Sequence, residues 1–175
     1  MISARDLPAT LTTDRLVLTT PTLAHVPDIA RLANNFAVYE MMARLPFPYT
    51  EEDARFFVEQ IVPTDAEHCY AVLLGGESFM GVVGLHFVKD LPPELGYWLG
   101  EPHWGHGYAT EAATAVVAAA RDAGFPALRS RALSRNARSR KVLAKAGFIE
   151  TGEGPDPEGL NEGKPATFMR LDFAP

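Results

Sequence analysis

One stretch constrains the chain more than any other. From Glu94 it reads Glu-Leu-Gly-Tyr-Trp-Leu-Gly-Glu-Pro-His-Trp-Gly-His-Gly-Tyr-Ala-Thr-Glu-Ala-Ala. An apolar strand, Glu94 to Leu99, runs into a turn with spaced glycines, and the turn opens an alanine-rich helix. Glycine lets the backbone turn sharply and come close to a ligand. The first amides of a helix have no internal acceptor, and the dipole there is positive. Such a junction is an anion cradle of the kind that takes a pyrophosphate. A tight strand-to-helix turn without a ligand has the same glycines. No Lys-Ser/Thr follows them, so the turn is not a P-loop. The strand before it belongs to a meander rather than a βαβ unit, so the turn is not a dinucleotide fingerprint either.

The rest of the chain builds around this junction. Residues 1–13 read as a loose lead-in, and Arg15 to Thr19 as a short strand ended by Pro21. Apolar residues at helical spacing predict a helix over Leu23 to Ala33 with Thr22 as its cap. A second short helix is expected over Val38 to Ala43. Thr50 followed by acids starts another, running to about Ile61. The period then changes. Cys69 to Leu74 and Phe79 to Val88 are strands joined by Gly75-Gly76-Glu77-Ser78, a hairpin signal. Glu94 to Leu99 is the next strand. A helix from Ala109 to Gly124, a strand from Leu128 to Leu133 and a helix from Asn136 to Ala146 follow. Phe148 to Thr151 and Thr167 to Phe173 form a last strand pair, with Gly152 to Pro165 a long loop between them. Helices interleaved with a mixed sheet predict a single α/β or α+β domain over residues 1–175.

Composition narrows the classes. There are 16 Lys and Arg against 22 Asp and Glu, a formal net charge of -6. An acidic chain is a poor general nucleic-acid binder. Cys69 is the only cysteine, so no thiolate metal cluster and no disulfide framework can form within the chain. Its apolar setting reads as an inert core thiol. His103 and His106 lack an Asp or Cys spaced to complete a metal site, so they read as loop histidines. The start has no apolar h-region, and no apolar run reaches the ~20 residues that cross a bilayer. A cytoplasmic protein without metal or membrane partner is expected.

Trp104 to Ala113 resembles the acetyl-CoA loop of the GCN5-related N-acetyltransferases (GNAT), especially the ribosomal-protein N-terminal acetyltransferase (Rim-type) branch. Thr13-Asp-Arg-Leu-Val-Leu-Thr resembles that branch's opening strand, and Pro46-Phe-Pro-Tyr-Thr-Glu-Glu-Asp-Ala its second helix start. Leu95-Gly-Tyr-Trp-Leu resembles its fourth strand. Asn136-Ala-Arg-Ser-Arg-Lys-Val-Leu-Ala-Lys-Ala-Gly-Phe resembles its last helix. The family pattern is Arg/Gln-x-x-Gly-x-Gly/Ala. Gly107 and Ala109 match it, and Trp104 stands in place of the leading Arg or Gln.

The resemblance implies a mixed, mostly antiparallel sheet of about six to seven strands, flanked by about four helices. It also implies a V-shaped splay between Glu94–Leu99 and Leu128–Leu133, opened by a bulge in the first of these strands. Acetyl-CoA would lie in that wedge as co-substrate, with the strand backbone from Trp98 through Leu99 to Gly100 along its pantetheine arm. The pyrophosphate would meet Trp104, Gly105, His106, Gly107, Tyr108, Ala109 and Thr110. Asn136 would cap the last helix and touch the arm, while Arg138, Arg140 and Lys141 are candidates for the 3′-phosphate. Tyr97 and Trp98 alternate, so one faces the ligand side and the other the core. Glu94 is the candidate base for the amine, the alternative being a solvated strand-end carboxylate. Ser139 is the candidate acid for the leaving sulfur, since Leu143 occupies the position where many members carry a tyrosine. His86 either lines the acceptor pocket or is a satisfied surface histidine. The implied activity is acetyl transfer to a primary amine by direct attack, from a monomer or homodimer. A domain that binds acyl-CoA without chemistry is the competing class.

Overall fold

The computed structural model describes residues 2–174. Its frame is one eight-stranded sheet in the order β1-β2-β3-β4-β5-β6-β8-β7. The strands are β1 (Thr10–Thr12), β2 (Leu16–Thr19), β3 (Glu67–Leu74), β4 (Ser78–His86), β5 (Glu94–Leu99), β6 (Ala127–Leu133), β7 (Ile149–Pro155) and β8 (Pro165–Asp172). Neighbours are antiparallel except β5 and β6, which run parallel. The helices are α1 (Val26–Ala33), α2 (Phe36–Tyr39), α3 (Glu51–Phe56), α4 (Tyr108–Asp122) and α5 (Ala137–Lys145). This is the mixed, mostly antiparallel sheet flanked by helices that the sequence implied.

Period-two alternation divides the central strands between two cores. On one face Met80, Val83, Leu85, Leu95 and Leu99 pack against Ala112, Ala113, Val116 and Ala120 of α4 and Leu143 of α5. On the other, Ala71, Leu73, Val82 and Trp98 pack against Ile29 and Ala33 of α1 and Ala54 of α3. The alanines of α4 let the helix lie close on the sheet. Thr50 and Asp53 form a reciprocal capping box on α3, as the hydroxyl-then-acid sequence requires.

Four expectations need correction. The lead-in is ordered: Ser3 and Asp6 form a capping box on a 3-10 turn, Leu7 is buried, and Thr10–Thr12 adds an edge strand to β2. That strand takes the sheet past the expected six to seven. The short second helix spans Phe36–Tyr39 rather than Val38 to Ala43, because Asn35 caps it through the Val38 amide. The long loop is shorter than expected, since β7 continues to Pro155 and pairs with Pro165. The bulge, finally, is not in β5. The β4–β5 register is unbroken from Gly81↔Leu99 to His86↔Glu94, whereas Val72↔Gly81 and Leu73↔Phe79 leave Met80 as an extra residue in β4.

Candidate active site

The wedge opens because β5 and β6 share a single register pair, Glu94↔Arg129. The Arg129 amide donates to the Pro93 carbonyl at 2.9 Å, and the buried Ser130 hydroxyl donates to the Leu95 carbonyl at 2.7 Å. Beyond that point β6 follows β8 along its whole length, and β5 leaves it.

Strand parity decides which backbone groups face the gap. The Gly100 amide donates to the Met80 carbonyl at 2.8 Å. With an unbroken antiparallel register, bonded and non-bonded pairs alternate. Trp98 and Gly96 therefore bond β4, and Leu95, Tyr97 and Leu99 turn their amides and carbonyls toward the wedge. The Leu95 carbonyl is taken by Ser130, and the Leu99 carbonyl by the Trp104 indole at 2.8 Å. Of the three residues expected along the arm, only Leu99 presents backbone to the gap. Trp98 is buried on the α1–α3 face against Phe79, and a side chain at Gly100 would run into Leu32.

At the wide end of the wedge stands the glycine turn. Gly105 and Gly107 both have φ of +79°, and Gly107 is the N-cap of α4. The amides from Gly105 to Thr110 donate to no protein acceptor among the described residues; the first amide of the helix to find one is Glu111, bonded to the Gly107 carbonyl at 3.1 Å. Gly105, His106 and Gly107 are exposed, and Tyr108, Ala109 and Thr110 half-buried. These amides stand at the positive end of a fifteen-residue helix, a setting that favours an anion.

Arg15 and Glu111 brace the turn. The Arg15 side chain donates to the Glu111 carboxylate at 2.7 Å and to the His106 carbonyl at 2.9 Å, and it lies over the Tyr108 ring at 4.5 Å. Glu111 also accepts from the Thr13 hydroxyl at 2.6 Å and the Arg15 amide at 2.9 Å. Burial pulls the Glu111 carboxyl upward, but these bonds together outweigh it and hold it below the ordinary carboxylate range. Sequence reasoning missed both partners. The only signal was the opening strand's match to the family, which does not say where Arg15 reaches.

From α5, Asn136 caps the helix by accepting from the Ser139 amide at 3.1 Å. Tyr97, on the α4–α5 face of β5, donates its hydroxyl to Ser139 Oγ at 3.2 Å. That settles the alternation left open by the sequence: Tyr97 faces the wedge helices and Trp98 the opposite core. Arg138 lies over the Trp104 ring at 4.8 Å, so a cation from α5 stands beside the aromatic that replaces the family's leading Arg or Gln. Arg140 is occupied by Glu150 at 2.7 Å, and Lys141 is exposed.

On the α1–α3 face a charged row crosses four strands. Glu67 pairs with His86, His86 with Glu94, and Glu94 with Arg129. Glu94 is only 12% exposed; Arg129 reaches it at 2.7 Å and Arg131 at 3.6 Å. Arg131 in turn meets Asp156 at 3.4 Å and Glu158 at 3.3 Å. Glu94 is thus neither solvated nor free: two guanidinium groups engage its carboxylate. Beside the row, Gly84 and Gly96 face each other across β4 and β5. A side chain at Gly96 would meet nothing within 4 Å, whereas one at Gly84 would run into the His68 carbonyl, so the open space lies at Gly96. Burial pushes the Cys69 thiol up to about 12, which leaves it inert. Among the described residues no group of three His, Cys, Asp or Glu side chains is placed to hold a metal ion, and no helix is long and apolar enough to cross a membrane.

A splayed mixed sheet with an amide cradle at the head of its wedge is the architecture of an acyl-CoA-dependent transferase. The family model "Acetyltransferase (GNAT) domain" matches residues 15–149, and the chain belongs to that family. It is 28% identical over 112 residues to the uncharacterized N-acetyltransferase YycN of Bacillus subtilis (strain 168), a match covering 57% of this chain and 72% of the relative. Its fold is similar to that of the microcin C7 self-immunity acetyltransferase MccE, solved with acetyl-CoA and AMP (TM-score 0.84, 19% identity, covering 95% of this chain and 97% of that one). It is also similar to the Salmonella typhimurium acetyltransferase that modifies the N-terminal serine of ribosomal protein L7/L12 (TM-score 0.79, 18% identity, covering 96% and 99%).

Proposed function

We propose that the chain moves an acetyl group from acetyl-CoA to a primary amine by direct attack in a ternary complex, as a Rim-type N-acetyltransferase. The observation that carries this is the run of unpartnered amides from Gly105 to Thr110 at the wide end of the wedge. A pyrophosphate satisfies several of them at once. The Leu99 amide and the free backbone edge of Tyr97 then lie along the pantetheine arm, with Asn136 and Ser139 on the opposite wall. Trp104 and Arg138 flank the cradle as an aromatic and cationic pair. On the far side of β5, the open space at Gly96 admits the acceptor.

In this arrangement Ser139 supplies a proton to the leaving sulfur. Tyr97 already donates to Ser139 Oγ, so the serine's own proton is free to point into the wedge. Glu94, charge-paired with Arg129 and Arg131, forms the polar wall beside which the amine enters. An α-amine, with a reference pKa of about 7.7–8.0 against about 10.4 for lysine, loses its proton more readily. A protein N-terminus is therefore the favoured acceptor over an ε-amine, and the Salmonella typhimurium relative modifies such a group. Small-molecule amines are the alternative class.

Isothermal calorimetry tests the cradle. Gly107→Val places a side chain on a backbone with φ of +79° and crowds the amides. It is expected to weaken acetyl-CoA binding by about 10-fold or more, the scale of a lost charge-assisted hydrogen bond. Unchanged affinity with an unaltered circular dichroism spectrum would refute the site.

A further inference from the structure

Amide formation needs a group to take the amine's proton, and Glu94 is engaged by two guanidinium groups. One strand away, His86 is not. We propose that His86, oriented by Glu67, is the general base of this enzyme. This rests on the acetyl-transfer reading above.

The geometry supports it in three ways. His86 stands directly across from Glu94 in the β4–β5 register, on the same face of the sheet and next to the Gly84–Gly96 pair. Its Nδ1 lies 2.6 Å from Glu67 Oε1. A carboxylate accepts only, so Nδ1 carries the hydrogen, and neutral imidazole leaves its lone pair on Nε2. Nε2 bonds no protein group among the described residues, and the side chain is 24% exposed. A base held by a carboxylate at one ring nitrogen, with the other nitrogen unbonded, is the arrangement that orients catalytic histidines elsewhere.

The proton balance is simple. The amine nitrogen forms its bond to the acetyl carbonyl carbon as the carbon–sulfur bond breaks. One amine proton passes to His86 Nε2, directly or through one water, and the sulfur takes a proton from the Ser139 hydroxyl. Imidazolium and serine re-equilibrate through solvent, and Glu67 stabilises the imidazolium while it lasts. The charged groups facing His86 are Glu67 of β3, Glu94 of β5, and Arg129 and Arg131 of β6. Arg44, from the connection after α2, meets Glu67 at 3.2 Å. Asp156 and Glu158 stand behind Arg131.

The test measures CoA release against pH for the wild type, His86→Gln, Glu67→Gln and Glu94→Gln. The amines are tetrapeptides with a free α-amine beginning with Ser or Ala, and spermidine. A general base must be unprotonated to act, so the wild type should show an acid limb of kcat/KM. His86→Gln is expected to lower kcat/KM by about 10²-fold near neutrality, abolish the limb and recover in alkali, with acetyl-CoA affinity unchanged by calorimetry. Glu67→Gln removes the carboxylate that holds the Nδ1 hydrogen, so kcat/KM should fall, by less than in His86→Gln, with the limb kept and acetyl-CoA affinity unchanged. Glu94→Gln should keep the limb. If His86→Gln retains the limb and the rate, or Glu94→Gln abolishes the limb, the assignment is overturned. If the wild type releases no CoA with any of these amines, the acetyl-transfer reading falls and takes the base with it.

Discussion

A serine hydroxyl alone is a weak proton donor, and the bond from Tyr97 changes what Ser139 can do. As the serine gives up its proton, a phenol stands ready to stabilise the oxygen left behind. Burial pushes the Tyr97 phenol upward, while its bond to Ser139 and the nearby Arg138 charge draw it partly back. Ser139→Ala is expected to lower kcat by about 10²–10⁴-fold with little change in acetyl-CoA affinity; a kcat within a few-fold of wild type would make water the proton source. The place of Ser139 in the first turn of the last helix was legible in the sequence. Tyr97 was legible only as an aromatic on an unknown face, because alternation fixes that two neighbours differ and not which way either points. Glu94 shows the same limit. Its strand position was readable, but its neutralisation by Arg129 and Arg131 depends on a parallel neighbour brought in from β6.

Elements were read more securely than residues. The helices capped by Thr50 and Asn136, the glycine hairpin and the strand-to-helix junction all carry local signals, and each formed where its signal lay, whereas α1 starts at Val26 behind a 3-10 turn rather than at the Thr22 cap. Apart from α2, whose local Asn35 cap sets its start, the misplaced elements depended on distant partners. Thr10–Thr12 becomes a strand because β2 offers an edge, and β7 extends because β8 lies beside it. The Arg15–Glu111 brace is of this kind too, tying the start of β2 to the first turn of α4. A carboxyl held below its ordinary range stabilises the fold above its unfolded value, and that stability is lost as pH falls through the folded value. Glu111→Gln should therefore lower Tm near neutrality by about 2–4 °C, the scale of a lost hydrogen bond in a chain of this size. The gap from wild type should close in acid below the usual carboxylate range. A gap that is constant with pH, followed by thermal unfolding across that range, would show that the charge is not what braces the turn.

At the scale of the molecule, one twisted sheet with a core on each face places the two halves of the chemistry on opposite sides of β5. The α4–α5 face carries the amide cradle, Tyr97 and Ser139; the α1–α3 face carries the open space at Gly96 and the charged row. The wedge between β5 and β6 joins them, and in the proposed reaction a thioester held from one side would be met by an amine from the other. The most direct measurement of this claim is CoA release from acetyl-CoA in the presence and absence of a peptide with a free α-amine, with the peptide followed by mass spectrometry. The account predicts that CoA appears only when the amine is present, one molecule for each acetyl group gained by the peptide or by another primary amine. Tight binding of acetyl-CoA with no amine-dependent CoA release, across peptides, polyamines and amino acids alike, would contradict it and leave a domain that binds the thioester without transferring it.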